Sequence, residues 1–281
     1  MHDLKHIAVF MDASAAGERI CRHAARLAQK HQAHLVGVFG VSRAEAMPPS
    51  ASFAVVSQAI HSVLVHLREV GEEKAAAAVH QFSELMREYG VSSEFRGVWS
   101  DSGSSRLLDR LHCDLVVTAQ PKPEGLPTSW SAEHILLHNG GPILLIPVAW
   151  QGEDFGQHAV IAWNGSVKAR RAINDAIPLL QRAGRVTVLV VDDGSAPERL
   201  GSSPGSDVLN QLQRHQIAAT TEIVNASGRP IAEVIAAQAD RLGADLVVIG
   251  AYSRSRAAEA IFGGVTRALL ARAPRPLFIA H

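Results

Sequence analysis

The segment GAYSRSRAAEAIFGGVTRALL (residues 250–270) carries residue types suited to holding an anion: glycines near both ends, hydroxyls at Ser253 and Thr266, and guanidinium groups at Arg254 and Arg256. Gly250 and the pair Gly263-Gly264 let backbone N–H groups come close to a negatively charged group. A helix starting near Gly263 or Gly264 would aim the positive end of its dipole at that group. The same residues admit a second reading, in which the glycines make a tight strand-to-helix connection and Arg254 and Arg256 are solvated. A further candidate loop, Trp163-Asn164-Gly165-Ser166, follows the apolar run HAVIA (158–162), and Asp192-Asp193 end the run RVTVLVVDD (185–193).

Other polar positions have structural readings. Asp12 follows the run HIAVFM and is expected to act as the N-cap of a helix that begins near Ser14. The equivalent of the glycine-bearing segment in the first half is QPKPEGLPTSWSAEHILL (120–137). There Pro121, Pro123 and Pro127 offer no N–H donors, so no phosphate cradle is expected. In SDSGSSRLLDRL (100–111), Ser100, Asp101 or Ser102 capping a short helix explains the pattern, and no function is assigned. The 14 histidines, His6 and His34 among them, show no HExxH or paired CxxC context, and no metal site is expected. Cys21 lies in a helical apolar stripe with Ile20, Ala24, Leu27 and Ala28, which predicts a buried, inert thiol. With only two cysteines there is no disulfide framework.

The elements that must position these groups repeat along the chain. HIAVFMD (6–12), a helix over about 14–31 and AHLVGVFG (33–40) are echoed by HAVIAWN (158–164), a helix over about 166–183 and RVTVLVVDD. CDLVVTAQ (113–120) matches ADLVVIGA (244–251), and GPILLIP (141–147) matches RPLFIAH (275–281). Short β-branched runs alternating with amphipathic helices predict βαβ units and parallel sheets buried on both faces. A chain of 281 residues suits two such domains, 1–150 and 151–281, joined by the polar, glycine-bearing stretch VAWQGEDFGQ (148–157). Residues 58–89 show helical spacing that fits one long helix or a broken pair. GSAPERLGSSPGSD (194–207) reads as a loop before a short helix through Val208, Leu209 and Leu212.

Residues 250–266 resemble the phosphate-binding signature of the universal stress protein family, GxxGx9G followed by Ser or Thr. Gly250 and Gly263 fall at the outer glycine positions, Ser253 stands at the middle one, and Gly264 stands where Ser or Thr is expected, with Thr266 nearby. The resemblance covers both halves and implies two flavodoxin-like, adenine-nucleotide-hydrolase-like α/β domains of the doubly wound Rossmann type. Each is a parallel sheet of about five strands in the order 3-2-1-4-5. It further implies adenine and ribose beside Ala162, Trp163, Asn164 and Val191, and phosphates beside Gly250, Ser253, Gly263, Gly264 and Thr266, with Arg254 and Val265 also in the nucleotide-binding set. Nucleotide-binding members carry an aspartate after the first strand, where this chain has Asn164. Asp192 and Asp193 touch a ribose or cap a turn, and the turn is the preferred reading.

The function implied is a non-catalytic, cytoplasmic stress-response protein whose second domain senses ATP, ADP or AMP, with or without Mg. The first domain has lost the signature. A nucleotide-free scaffold for an unidentified protein partner and a weak ATP hydrolase are the alternatives. No GxSxG elbow or GxxxxGK[ST] loop supports catalysis. Homodimerisation through last-strand or domain edges is implied as well, as is pairing of ILLIP (143–147) with LFIAH (277–281) within the tandem chain. A formal net charge of zero gives no field for nucleic acid, and no apolar run approaches the roughly 18 residues of a membrane span.

Overall fold

The computed structural model describes residues 3–41, 58–99, 111–123, 131–194, 203–251 and 264–281. The chain divides into two compact units, Leu4–Asn139 and Gly140–His281, with Asp3 counted in the second. There Asp3 is held by Arg182, 2.9 Å from its carboxylate.

The first unit contains β1 (His6–Met11), α1 (Ala15–His31), β2 (His34–Val41), α2 (Gln58–Tyr89), β3 (Ser93–Trp99), β4 (Leu115–Gln120) and α3 (Ala132–His138). Its strands lie in the order β3-β2-β1-β4, all parallel. Residues 58–89 form one helix of 32 residues, which resolves the choice between a long helix and a broken pair. Phe82, Leu85 and Met86 on its last turns are buried.

The second unit contains β5 (Ile143–Pro147), β6 (His158–Ala162), α4 (Val167–Leu180), β7 (Arg185–Asp192), α5 (Ser206–Arg214), β8 (Ala219–Asn225), α6 (Ile231–Arg241), β9 (Leu246–Gly250), α7 (Gly264–Ala271) and β10 (Leu277–Ala280). The order β8-β7-β6-β9-β10 is the expected 3-2-1-4-5 arrangement. Outside it, β5 pairs antiparallel with β10, Leu277 facing Leu145 and Ile279 facing Ile143. The pairing of ILLIP with LFIAH therefore exists and satisfies the last strand's open edge.

Helices on both faces explain why the inner strands read as unbroken apolar runs. β10 is buried throughout, and β6 and β9 are buried apart from their last residues. β8, at the sheet margin, has only half-buried and exposed positions. The repeated Asp of CDLVV and ADLVV has the same task in each unit. Asp114 accepts backbone N–H bonds from Lys5 and His6 at 2.7 and 2.9 Å. Asp245 accepts from Gly156, Gln157 and His158, each at 3.0 Å. One carboxylate thus satisfies the N–H groups entering the first strand of each sheet and fixes where that strand starts.

Candidate functional site

Strand order in the second unit reverses between β6, which leads outward to β7 and β8, and β9 on its other side. A cavity of about 790 Å³ opens at the carboxyl ends of these strands, the place where a doubly wound sheet binds ligands. It is lined by eight of the residues named from the sequence: Ala162, Trp163, Asn164, Val191, Gly250, Gly264, Val265 and Thr266. Ser253, Arg254 and Gly263, together with Arg256, lie outside the described residues, as do Ser100, Asp101, Ser102 and Pro127.

The local geometry follows from short-range chemistry. Asn164 Oδ1 accepts the Ser166 backbone N–H at 3.1 Å, and Ser166 Oγ accepts the N–H of Ala169 at 3.0 Å, capping α4. The first unit repeats the device: Asp12 Oδ1 accepts from Ser14 N at 3.0 Å and from the Ser14 hydroxyl, while Ser14 Oγ accepts from Gly17 N at 3.0 Å. This corrects the expectation for Asp12. Ser14 is the N-cap of α1, because its hydroxyl lies three residues before the orphan donor, and the Asp12 carboxylate holds Ser14 in place. In the second unit the amide oxygen of Asn164 does the same work without charge.

Gly250 has a packing reason of its own. A Cβ there would come within 2.3 Å of the backbone of Lys168 and Ala169, so α4 can start where it does only because β9 ends in glycine. Gly264 differs, since its Cβ direction is open, and it stands at the amino end of α7 facing the cavity. Thr266, 4% exposed, sits in the first turn of that helix.

The opposite wall was not foreseen. Pro230, Ile231, Ala232 and Ile235, from the start of α6, supply apolar surface against Val191 and Leu189. The Pro-Ile start of α6 was the available signal, but only the fold brings it to the β6–β9 crevice. Asp192 and Asp193 divide the two readings offered for them. Asp192 Oδ1 accepts the Gly194 N–H at 2.9 Å and closes the turn, whereas Asp193 lies on the cavity rim. The pocket therefore combines an apolar slot, an indole at Trp163, hydroxyl and amide groups, a carboxylate at the rim and a helix amino terminus.

The thiols take no part. Cys21 is fully buried and Cys113 half-buried; burial pushes each thiol up to about 12, which keeps it protonated. No helix among the described residues is long and apolar enough to cross a membrane.

Residues 157–281 match the model of the universal stress protein family. A universal stress protein from Archaeoglobus fulgidus shares the fold over 98% of this chain and 97% of its own, with a TM-score of 0.69 at 12% identity. A protein of unknown function and a putative universal stress protein, both from Pseudomonas aeruginosa, follow over 99% of this chain and 92% and 93% of their own. Their TM-scores are 0.59 and 0.58, at 15% and 16% identity. No curated protein matches the chain. The fold and the crevice define a doubly wound α/β protein of tandem build. Residues 157–281, the second half of the chain, form a domain of the universal stress protein family.

Proposed function

We propose that this protein is a non-catalytic stress-response protein whose second domain binds an adenine nucleotide and shifts a conformational or partner-binding equilibrium on doing so. The observation that carries the reading is the 790 Å³ cavity at the strand-order reversal of the family-matching domain. Its size falls within the roughly 300–1,000 Å³ typical of small-molecule sites. The apolar side chains of Val191 and Ile231, which line this cavity together with Trp163, suit the flat face of a purine. Asp193 at the rim suits sugar hydroxyls, which donate hydrogen bonds to a carboxylate. The amino end of α7, at Gly264 to Thr266, suits a phosphate, with Ser253, Arg254 and Gly263 supplied from the preceding segment.

The test is direct. Protein purified without added nucleotide is denatured and the released small molecules are identified by mass spectrometry; the ligand-free protein is then titrated with ATP, ADP and AMP by calorimetry. A nucleotide is expected to bind, with affinity reduced at least about tenfold by Gly264→Val. That change adds bulk toward the cavity without a backbone clash. Absence of released nucleotide together with absence of binding heat across temperatures would sink the reading and leave the fold as a scaffold for protein partners. Phosphate release above that of the Gly264→Val variant would move it to the hydrolases.

A further inference from the structure

The geometry points to a transition-metal site in the first domain, built from His6, His34 and Glu94 at the amino ends of β1, β2 and β3, taking a zinc-class divalent cation. One ligand atom from each of the three side chains lies within 4.8 Å of those of the others. The strands' register makes this so. His6 stands directly opposite His34, and Glu94 stands opposite Val36, two residues beyond His34 and hence on the same face of the sheet. The two imidazole rings lie 5.4 Å apart, centre to centre. Two imidazoles and one carboxylate with an open coordination position form a donor set suited to Zn²⁺ and its neighbours in the first transition row.

A second observation concerns orientation. His34 Nδ1 lies 2.9 Å from Ser92 Oγ. With Nδ1–H donating to that hydroxyl, Nε2 carries the lone pair and is the nitrogen left to bind a cation. The arrangement resembles the outer-sphere hydrogen bond that most metal-binding histidines make. Tetrahedral ligands at about 2.1 Å from zinc stand about 3.4 Å from one another, so the three side chains must close by roughly an ångström. His6 and His34 are half-buried and Glu94 is exposed, which leaves room for the rotation. Glu94 is held in an ion pair by Arg96, two residues along the same strand. The guanidinium therefore competes with the metal for this carboxylate and repels the cation.

The duplication supplies a comparison within the chain. His158 occupies the place of His6, but Arg185 stands opposite it where His34 stands, and Thr220 takes the place of Glu94. The fold does not require this cluster, and the second domain lacks it. The site also lies at the amino ends of its strands, the end remote from where a doubly wound sheet binds nucleotide. Such a cation would tie the marginal strand β3 to β2 and β1.

Chelator-treated full-length protein is titrated with ZnCl₂ by calorimetry, and with CoCl₂ followed by its visible absorption. One equivalent is expected to bind and to raise the unfolding temperature. His34→Gln, His6→Gln and Glu94→Gln should each weaken binding about tenfold or more, and Ser92→Ala should weaken it by about tenfold through the orienting hydrogen bond. Arg96→Ala should tighten binding, a change of sign that a merely structural pair would not produce. Unfolding temperatures of the metal-free variants show that each is folded. The proposal is overturned if wild-type protein takes up no zinc, or if the three ligand variants bind zinc as tightly as wild type, which would place the metal on other histidines.

Discussion

At the scale of single residues, His158 shows how one side chain links the second domain's stability to pH. Its ring is buried, with Nδ1 3.0 Å from the Leu242 carbonyl and Nε2 3.0 Å from Thr187 Oγ1. A carbonyl can only accept, so Nδ1 carries the proton and Nε2 accepts from the threonine hydroxyl. Burial holds the imidazole below its ordinary value of 6.5, and the nearby Arg185 adds to the effect; the Leu242 carbonyl and Asp245 oppose it. The folded ring therefore resists a proton that the unfolded chain accepts. The stability this preference contributes is complete above about pH 6.5 and is lost as pH falls through the lower, folded-state value. Urea unfolding of the second domain between about pH 7.5 and 5 should show the midpoint falling with acidification, with a shallower fall in His158→Gln. Equal slopes in the two proteins would show that the imidazole is not responsible.

At the scale of elements, the ends of strands and the starts of helices decide the site. Gly250 closes β9 directly against the first turn of α4, backbone on backbone. Gly250→Ala must push that turn away, and it should destabilise the protein by about 1–3 kcal/mol in denaturant unfolding, whether or not nucleotide is present. Wild-type stability in the alanine variant would show that the turn yields. Weakened nucleotide binding in that variant alone would say nothing about phosphate, which is why Gly264→Val is the informative change.

This element also shows what could be read from the chain. The duplication, the strand runs and the α1 stripe were legible because parallel strands covered on both faces must be apolar along their whole length. The strand order came from the family resemblance instead. Six of the glycines, loop residues and strand-end residues around the crevice were legible through the same signature, as were Val265 and Thr266. The α6 wall was not, because nothing local marks a helix start as facing a crevice made by strands far away in sequence. Asp114 and Asp245 stood in plain view within the repeat, but their work consists of backbone hydrogen bonds to segments about a hundred residues distant, which periodicity cannot show. His6, His34 and Glu94 escaped for a related reason: metal motifs are recognised by spacing along one segment, whereas these three are assembled by strand register.

At the scale of the whole molecule, the two domains gather their polar side chains at opposite ends of the same architecture. In the second, the carboxyl ends of β6, β7 and β9 surround a cavity with a helix amino terminus. In the first, the matching connection from β4 begins with Pro121 and Pro123, which lack N–H groups, while the amino ends of β1 to β3 gather the two histidines and the glutamate. Two ligands of opposite charge should therefore act on separate stretches of backbone, because each lowers the free energy only of states in which its own site is formed. Hydrogen exchange of the full chain can resolve this. ATP should slow exchange in residues 162–166, 189–193, 230–235 and 264–268 and leave the starts of β1 to β3 unchanged. ZnCl₂ should slow exchange at the starts of β1, β2 and β3 and leave the cavity segments unchanged. Protection by either ligand that spreads evenly over both domains would contradict separate sites and would mean that the duplicated halves open and close as one cooperative unit.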